Sequence, residues 1–164
     1  MDFNVNKRTP LPASMMPTAG KLETKPFKKW FEGSKVLCQS GQPLIVYHGT
    51  DAQFSAFDQD KAWRSGGDDA GFYFTPNAAL AKQYGANVLD CYLAVKNPKY
   101  VGQDEIEYLS FADKADLELK GFDGLIAKDE TGNITEVVAF FPTQIKSATA
   151  NNGAFDPNNP CLAE

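Results

Sequence analysis

The chain has 164 residues, 43% of them hydrophobic, with 12 phenylalanines, six tyrosines and two tryptophans, enough for one packed domain. Its formal charge of −5 and pI of about 4.9 argue against capture of a phosphate backbone by net charge, although a local basic patch can coexist with an acidic total. Three widely spaced cysteines, Cys38, Cys91 and Cys161, imply no disulfide framework and favour a reducing compartment; no apolar signal core opens the chain and no run nears the roughly 18 residues of a membrane span, so a cytoplasmic protein is expected.

Residues 1–26, rich in Pro, Thr, Lys and Met without periodicity, read as a flexible arm or linker. In FKKWFEGSKV, Phe27, Trp30 and Phe31 form one stripe of a short helix stopped by Gly33. PLIVYHG, 43–49, is a strand rich in β-branched residues. Residues 51–70 form a polar loop, with Phe54 and Phe57 expected to pin it to the core, and GFYFT, 71–75, is a short strand. Thr75-Pro76 supplies a hydroxyl cap and a first-turn proline for a helix that ends at Gly85. A strand over 86–98 ends at its proline, and a second helix around 110–120 ends at Gly121. GLIAK and TEVVAFF form a hairpin over 124–141, and FPTQIKSA leads into a last short strand. From 149 the chain is Asn/Pro-rich loop, with 156–164 as a C-terminal tail. Strands outnumber helices and the last long ones pair as a hairpin, which predicts an α+β domain with a largely antiparallel sheet.

Several chemistries lack their residues. A single histidine and scattered cysteines give no zinc-ligand spacing, and no metal is expected. Gly66-x4-Gly71 is followed by Phe72, not Lys and Ser/Thr, so it is no phosphate-binding P-loop. No G-x-G-x-x-G joins a strand to a helix, and no G-x-S-x-G elbow occurs. Three clusters remain: YHGT at 47–50, GFYFT at 71–75 and TEVVAFFP at 135–142. Taken singly, each has an ordinary structural reading: a strand-end histidine, a core tyrosine, a solvated glutamate.

As an ordered set they resemble the ADP-ribosyltransferase superfamily, and within it the His-Tyr-Glu branch of poly(ADP-ribose) polymerases and diphtheria toxin. WFEGSKV, GQPLIVYHGT, GFYFT, YLAVKNP, GFDGLI and FFPTQIKSA are similar to the ADP-ribosyltransferase domains of phage and mobile-element polyvalent proteins. The resemblance covers about residues 27–155 and implies a split-sheet fold around an NAD cleft. It implies that His48 holds the adenine-side ribose of NAD and that Gly49 presents its backbone to the nicotinamide amide, where a side chain would obstruct close approach. Thr50 supports this turn. Tyr73, and Tyr84 at the end of the following helix, would stack on nicotinamide. Ala81 departs from the polymerases, which carry a carboxamide-binding serine there. Glu136 matches the catalytic glutamate, a carboxylate that orients the ribose 2′-hydroxyl and faces the positive charge that develops as the nicotinamide bond breaks. On its strand, Glu136, Val138 and Phe140 share one face. Ile134 stands where arginine-specific relatives carry a second Glu or Gln, so that means of acceptor selection is absent. Lys61 or Arg64 either reaches the pyrophosphate from a lid over NAD or is a solvated loop charge.

The resemblance therefore implies an NAD-dependent mono-ADP-ribosyltransferase acting on a macromolecular acceptor, protein rather than nucleic acid given the acidic balance. An NAD glycohydrolase and a non-catalytic interaction domain that retains the fold are the alternatives. Single transfer is expected because no second ADP-ribose site is found in the sequence.

Overall fold

The computed structural model describes residues 21–60, 70–107 and 109–164; Lys61 and Arg64 lie outside them. Helix α1 (Lys25–Phe31) begins two residues before the aromatic stripe because Thr24 caps it: the Thr24 Oγ1 accepts the Phe27 N–H at 3.4 Å. Strand β1 (Val46–Thr50) follows, then β2 (Phe72–Phe74), helix α2 (Ala78–Ala81) running into a 3-10 turn at Lys82–Tyr84, and β3 (Asn87–Leu93). The second half holds β4 (Pro98–Tyr100), α3 (Gln103–Ile106), α4 (Phe111–Leu119), β5 (Gly124–Lys128), β6 (Ile134–Ala139) and β7 (Ile145–Ser147).

The strands form two sheets, ordered β1-β3-β7 and β2-β6-β5-β4, antiparallel except where β4 meets β5. This is the expected α+β architecture with a split, largely antiparallel sheet. Period-two alternation sorts the side chains into layers. From the first sheet Val46, Cys91 and Leu93, and from the second Phe72, Phe74, Ile126, Val137 and Ala139, meet in a shared buried core. Tyr92 turns outward and packs with Phe27, Trp30 and Phe31 of α1. On the second sheet Leu125, Ala127 and Val138 turn outward to Ile106, Leu109 and Leu117 of the α3–α4 region. Gln144 ties the layers where they converge. Its Oε1 accepts the N–H groups of Phe140 and Phe141, and its Nε2 donates to the carbonyls of Ala94 and Asp123.

Three local features differ from the expected elements. The cap of α2 is Asn77, whose Oδ1 accepts the Leu80 N–H at 3.1 Å, and not Thr75. Thr75 is held extended by paired backbone bonds with Tyr47, the bridge that joins the two sheets, so the helix starts later. Pro98 does not end the β3 segment but opens β4, a first-residue position where its missing N–H is tolerated. The one-turn helix α3 lies between the strand expected over 86–98 and the helix expected around 110–120.

Both ends of the described chain are anchored. In the 21–26 stretch, Lys21 is buried and donates to the carbonyls of Thr149 and Asn151. Phe155 is held at φ 40°, a costly conformation for a bulky residue, with its ring buried against Phe27 at 5.0 Å and Trp30 at 5.6 Å. Beyond it, Leu162 enters the central core, and Cys161 bridges to Ala56 in the loop after β1. The three cysteines are free thiols. Among the described residues no helix is long and apolar enough to cross a membrane.

Candidate functional site

Strand β1 turns Val46 into the core, and two residues on its alternation brings His48 to the same side. The imidazole is half-buried, with Phe57 edge-on at 4.9 Å and Phe74 at 5.4 Å. Its Nδ1 lies 2.7 Å from the carbonyl oxygen of Tyr73, across the gap between the sheets. A carbonyl only accepts, so Nδ1 carries the hydrogen. Burial holds the imidazole pKa below its ordinary value, with the Tyr73 bond pulling the other way. The ring at neutral pH is therefore the Nδ1–H tautomer, and Nε2 is an acceptor suited to a hydroxyl.

Gly49 faces α2. A Cβ there would stand 1.7 Å from the carbonyl oxygen of Ala81 and 3.3 Å from the Tyr84 Cβ. The close approach that requires glycine is thus made by the fold's own backbone, and it seats α2 with its 3-10 extension on β1. Ala81 is buried there, whereas Tyr84 stands 73% exposed at the end of the turn. Thr50 closes the strand: its Oγ1 accepts the Ala52 N–H at 3.1 Å, and its backbone packs so closely on Gly85 that a Cβ at 85 would fall 2.2 Å away.

Tyr73 points to the opposite side of β2 from Phe72 and Phe74. Its half-buried ring packs on the outer cluster that includes Ile106, Leu109 and Val138, and its hydroxyl accepts the Leu109 N–H at 3.3 Å. Tyr73 pairs with Val138 of β6, so Glu136 lies two residues further along that neighbouring strand. Glu136 takes the same outward side as Val138, as the alternation predicts. Its Oε2 accepts a short bond, 2.6 Å, from Nε2 of Gln103 on α3.

The structure thus joins His48 to Tyr73 directly, Gly49 to Ala81 and Tyr84 by packing, and Tyr73 to Glu136 through the β2–β6 register. No described contact joins the Glu136 carboxylate to His48 or Tyr84. Gln103 was missed from the sequence. The available signal was Gly102-Gln103-Asp104-Glu105, since acidic residues favour the first turn of a helix.

A family model described as ADP-ribosyltransferase in polyvalent proteins matches residues 39–155. No curated protein matches the chain. The matched stretch contains every strand of both sheets and the candidate residues from His48 to Glu136. ADP-ribosyltransferases use NAD as co-substrate and pass ADP-ribose to an acceptor, and it is to this family, the ADP-ribosyltransferases of polyvalent proteins, that the chain belongs.

Proposed function

We propose that the protein is an NAD-dependent mono-ADP-ribosyltransferase of the His-Tyr-Glu kind, which cleaves the nicotinamide–ribose bond and transfers ADP-ribose to a macromolecular acceptor, protein rather than nucleic acid. The observation that carries this reading is the 2.7 Å bond from His48 Nδ1 to the Tyr73 carbonyl. It fixes the tautomer, so that Nε2 of the neutral ring is an acceptor.

The side chains present fit NAD. His48 Nε2 accepts from a ribose hydroxyl. Tyr84 offers an exposed aromatic face beside Gly49, and Tyr73 lies on the strand between His48 and Glu136. A flat cationic ring gains stacking and cation–π energy from such faces. Glu136 supplies the carboxylate, which orients the 2′-hydroxyl and favours the transition state over the ground state by opposing the charge that develops on the ribose. No metal is needed for this chemistry. The −5 charge favours a protein acceptor over a polyanion.

The test is to incubate purified protein with NAD, with and without extract of its host cell, beside Glu136→Gln. Nicotinamide release is followed while mass spectrometry searches for ADP-ribose adducts. Release that needs extract and leaves an adduct on a protein is the expected result. Release without extract or adduct would identify a glycohydrolase. No release together with no NAD binding would mean a non-catalytic interaction domain.

A further inference from the structure

We propose that Gln103 is a positioning residue for the transfer reaction, holding the Glu136 carboxylate in one orientation through a clamp built from α3 and a bulge in β6. The inference rests on the reading of Glu136 given above.

The bulge is visible in the strand register. Ala127 pairs with Glu136 and Lys128 with Ile134, which leaves Thr135 as an extra residue on β6. In a regular strand Thr135 and Glu136 would point to opposite faces. Here both reach the same side chain: Gln103 Nε2 donates to Glu136 Oε2 at 2.6 Å, and Thr135 Oγ1 donates to Gln103 Oε1 at 3.1 Å, sharing its one hydrogen with the Ala127 carbonyl at 3.3 Å. The chemistry fixes the direction of each bond. An ionised carboxylate only accepts, so the NH2 end of the amide must face Glu136. The carbonyl end then faces Thr135, whose hydroxyl donates to it.

Gln103 is exposed, yet it is not a loose surface side chain. Its helix is plugged into the outer cluster by fully buried Ile106, beside Val138 of β6. Both ends of the clamp are therefore fixed to the strand that carries Glu136. A hydrogen bond to a charged group is among the stronger ones, and this one restrains rotation of the carboxylate about its terminal torsion, which is otherwise broad.

The experiment compares Gln103→Met, which keeps the stem and removes the amide, and Gln103→Ala with the wild type and Glu136→Gln. Three things are measured: the crystal structure, NAD affinity by titration, and kcat for nicotinamide release. The expected result is a Glu136 carboxylate that leaves its place in both Gln103 variants. With it comes a fall in kcat of about tenfold, the size expected for losing a hydrogen bond to a charged group, and an NAD Kd within about twofold of wild type. Thr135→Val should give a smaller loss of the same kind, and Gln103→Met should add nothing in the Glu136→Gln background. A carboxylate that keeps its position without the amide overturns the proposal. So does a wild-type kcat in Gln103→Met, or a loss that follows Kd. Wild-type release by Glu136→Gln would instead overturn the functional reading, a result distinct from failure of the Gln103 variants alone.

Discussion

His48 and Tyr73 are 25 residues apart in the chain, yet the imidazole Nδ1 of one sits 2.7 Å from the carbonyl of the other. That bond links the first strands of the two sheets next to the Tyr47–Thr75 bridge. The His48–Tyr73 pair of the candidate site therefore lies at the seam where the sheet splits. The same seam disfavours a charged imidazole: Phe57 and Phe74 pack on the ring, and burial lowers its pKa against the opposing pull of the Tyr73 carbonyl.

The first prediction follows from that shift. His48 takes up its proton less readily in the folded chain than in the unfolded one. Its contribution to stability is complete above the ordinary histidine pKa of about 6.5 and is lost as pH falls through the lower folded value. The melting temperature of the wild type should therefore drop between pH 7 and pH 5 by more than that of His48→Gln. Because the chain holds one histidine, the titration is readable directly in a two-dimensional imidazole NMR spectrum. Equal pH dependence in the two proteins would show that the ring is not held neutral by the fold.

Gly49→Ala tests the seating of α2. The added methyl would stand 1.7 Å from the Ala81 carbonyl oxygen, and that atom is backbone, so the helix must shift. Overpacking of this kind costs about 1–3 kcal/mol, several degrees in melting temperature for a chain of this size. The 3-10 turn that carries Tyr84 should move with the helix, so NAD affinity should fall as well. Unchanged stability would mean that β1 and α2 do not approach in this way.

The parts of this site that were legible in the sequence are those carried by regular alternation or by strong punctuation. Val46 and His48 share a side because strands alternate, and Glu136 follows Val138 for the same reason. Gly121, at φ +89°, ends α4 where the chain signals an end. What was not legible depends on distant partners. Thr75 is marked as a cap by the proline that follows it, yet its backbone is already committed to Tyr47. Helix α3 is a single turn with one buried residue, Ile106, too short to show a helical period, so the acidic first turn at Asp104 and Glu105 was the one signal beside Gln103. The bulge at Thr135 leaves no compositional trace. The Asn/Pro-rich end reads as loop and is loop, but it is fixed by a lysine that precedes it on β7.

Glu136→Gln separates binding from chemistry. The amide keeps the shape of the side chain but loses its charge, so what is lost is stabilisation of positive charge on the ribose. On the proposed mechanism kcat should fall by about a hundredfold or more, with the NAD Kd within about threefold of wild type. Rates of nicotinamide release at saturating NAD, set beside a binding titration, decide the matter. Equal losses of binding and turnover would assign Glu136 to ground-state binding.

Lys146 carries the last prediction. It is fully buried on β7, and its ammonium donates to the carbonyls of Asn159 at 2.5 Å, Cys161 at 3.0 Å and Glu164. The segment it gathers also touches the loop after β1, through the Leu162 N–H to the Ser55 carbonyl at 2.8 Å and the bridge between Cys161 and Ala56. That loop carries Phe57, which lies against His48. Lys146→Met keeps most of the volume and removes all three donated bonds. Each bond lost from a charged donor costs about 1.5–3 kcal/mol, and the part-buried acceptors are rehydrated most simply by release of the segment into water. Limited proteolysis should then cut beyond residue 155 in the variant before the rest of the domain unfolds, and the His48 resonance should shift as Phe57 loosens. A variant as protease-resistant as the wild type, with an unmoved His48 signal, would show that the segment is held by Leu162 in the core and not by the ammonium.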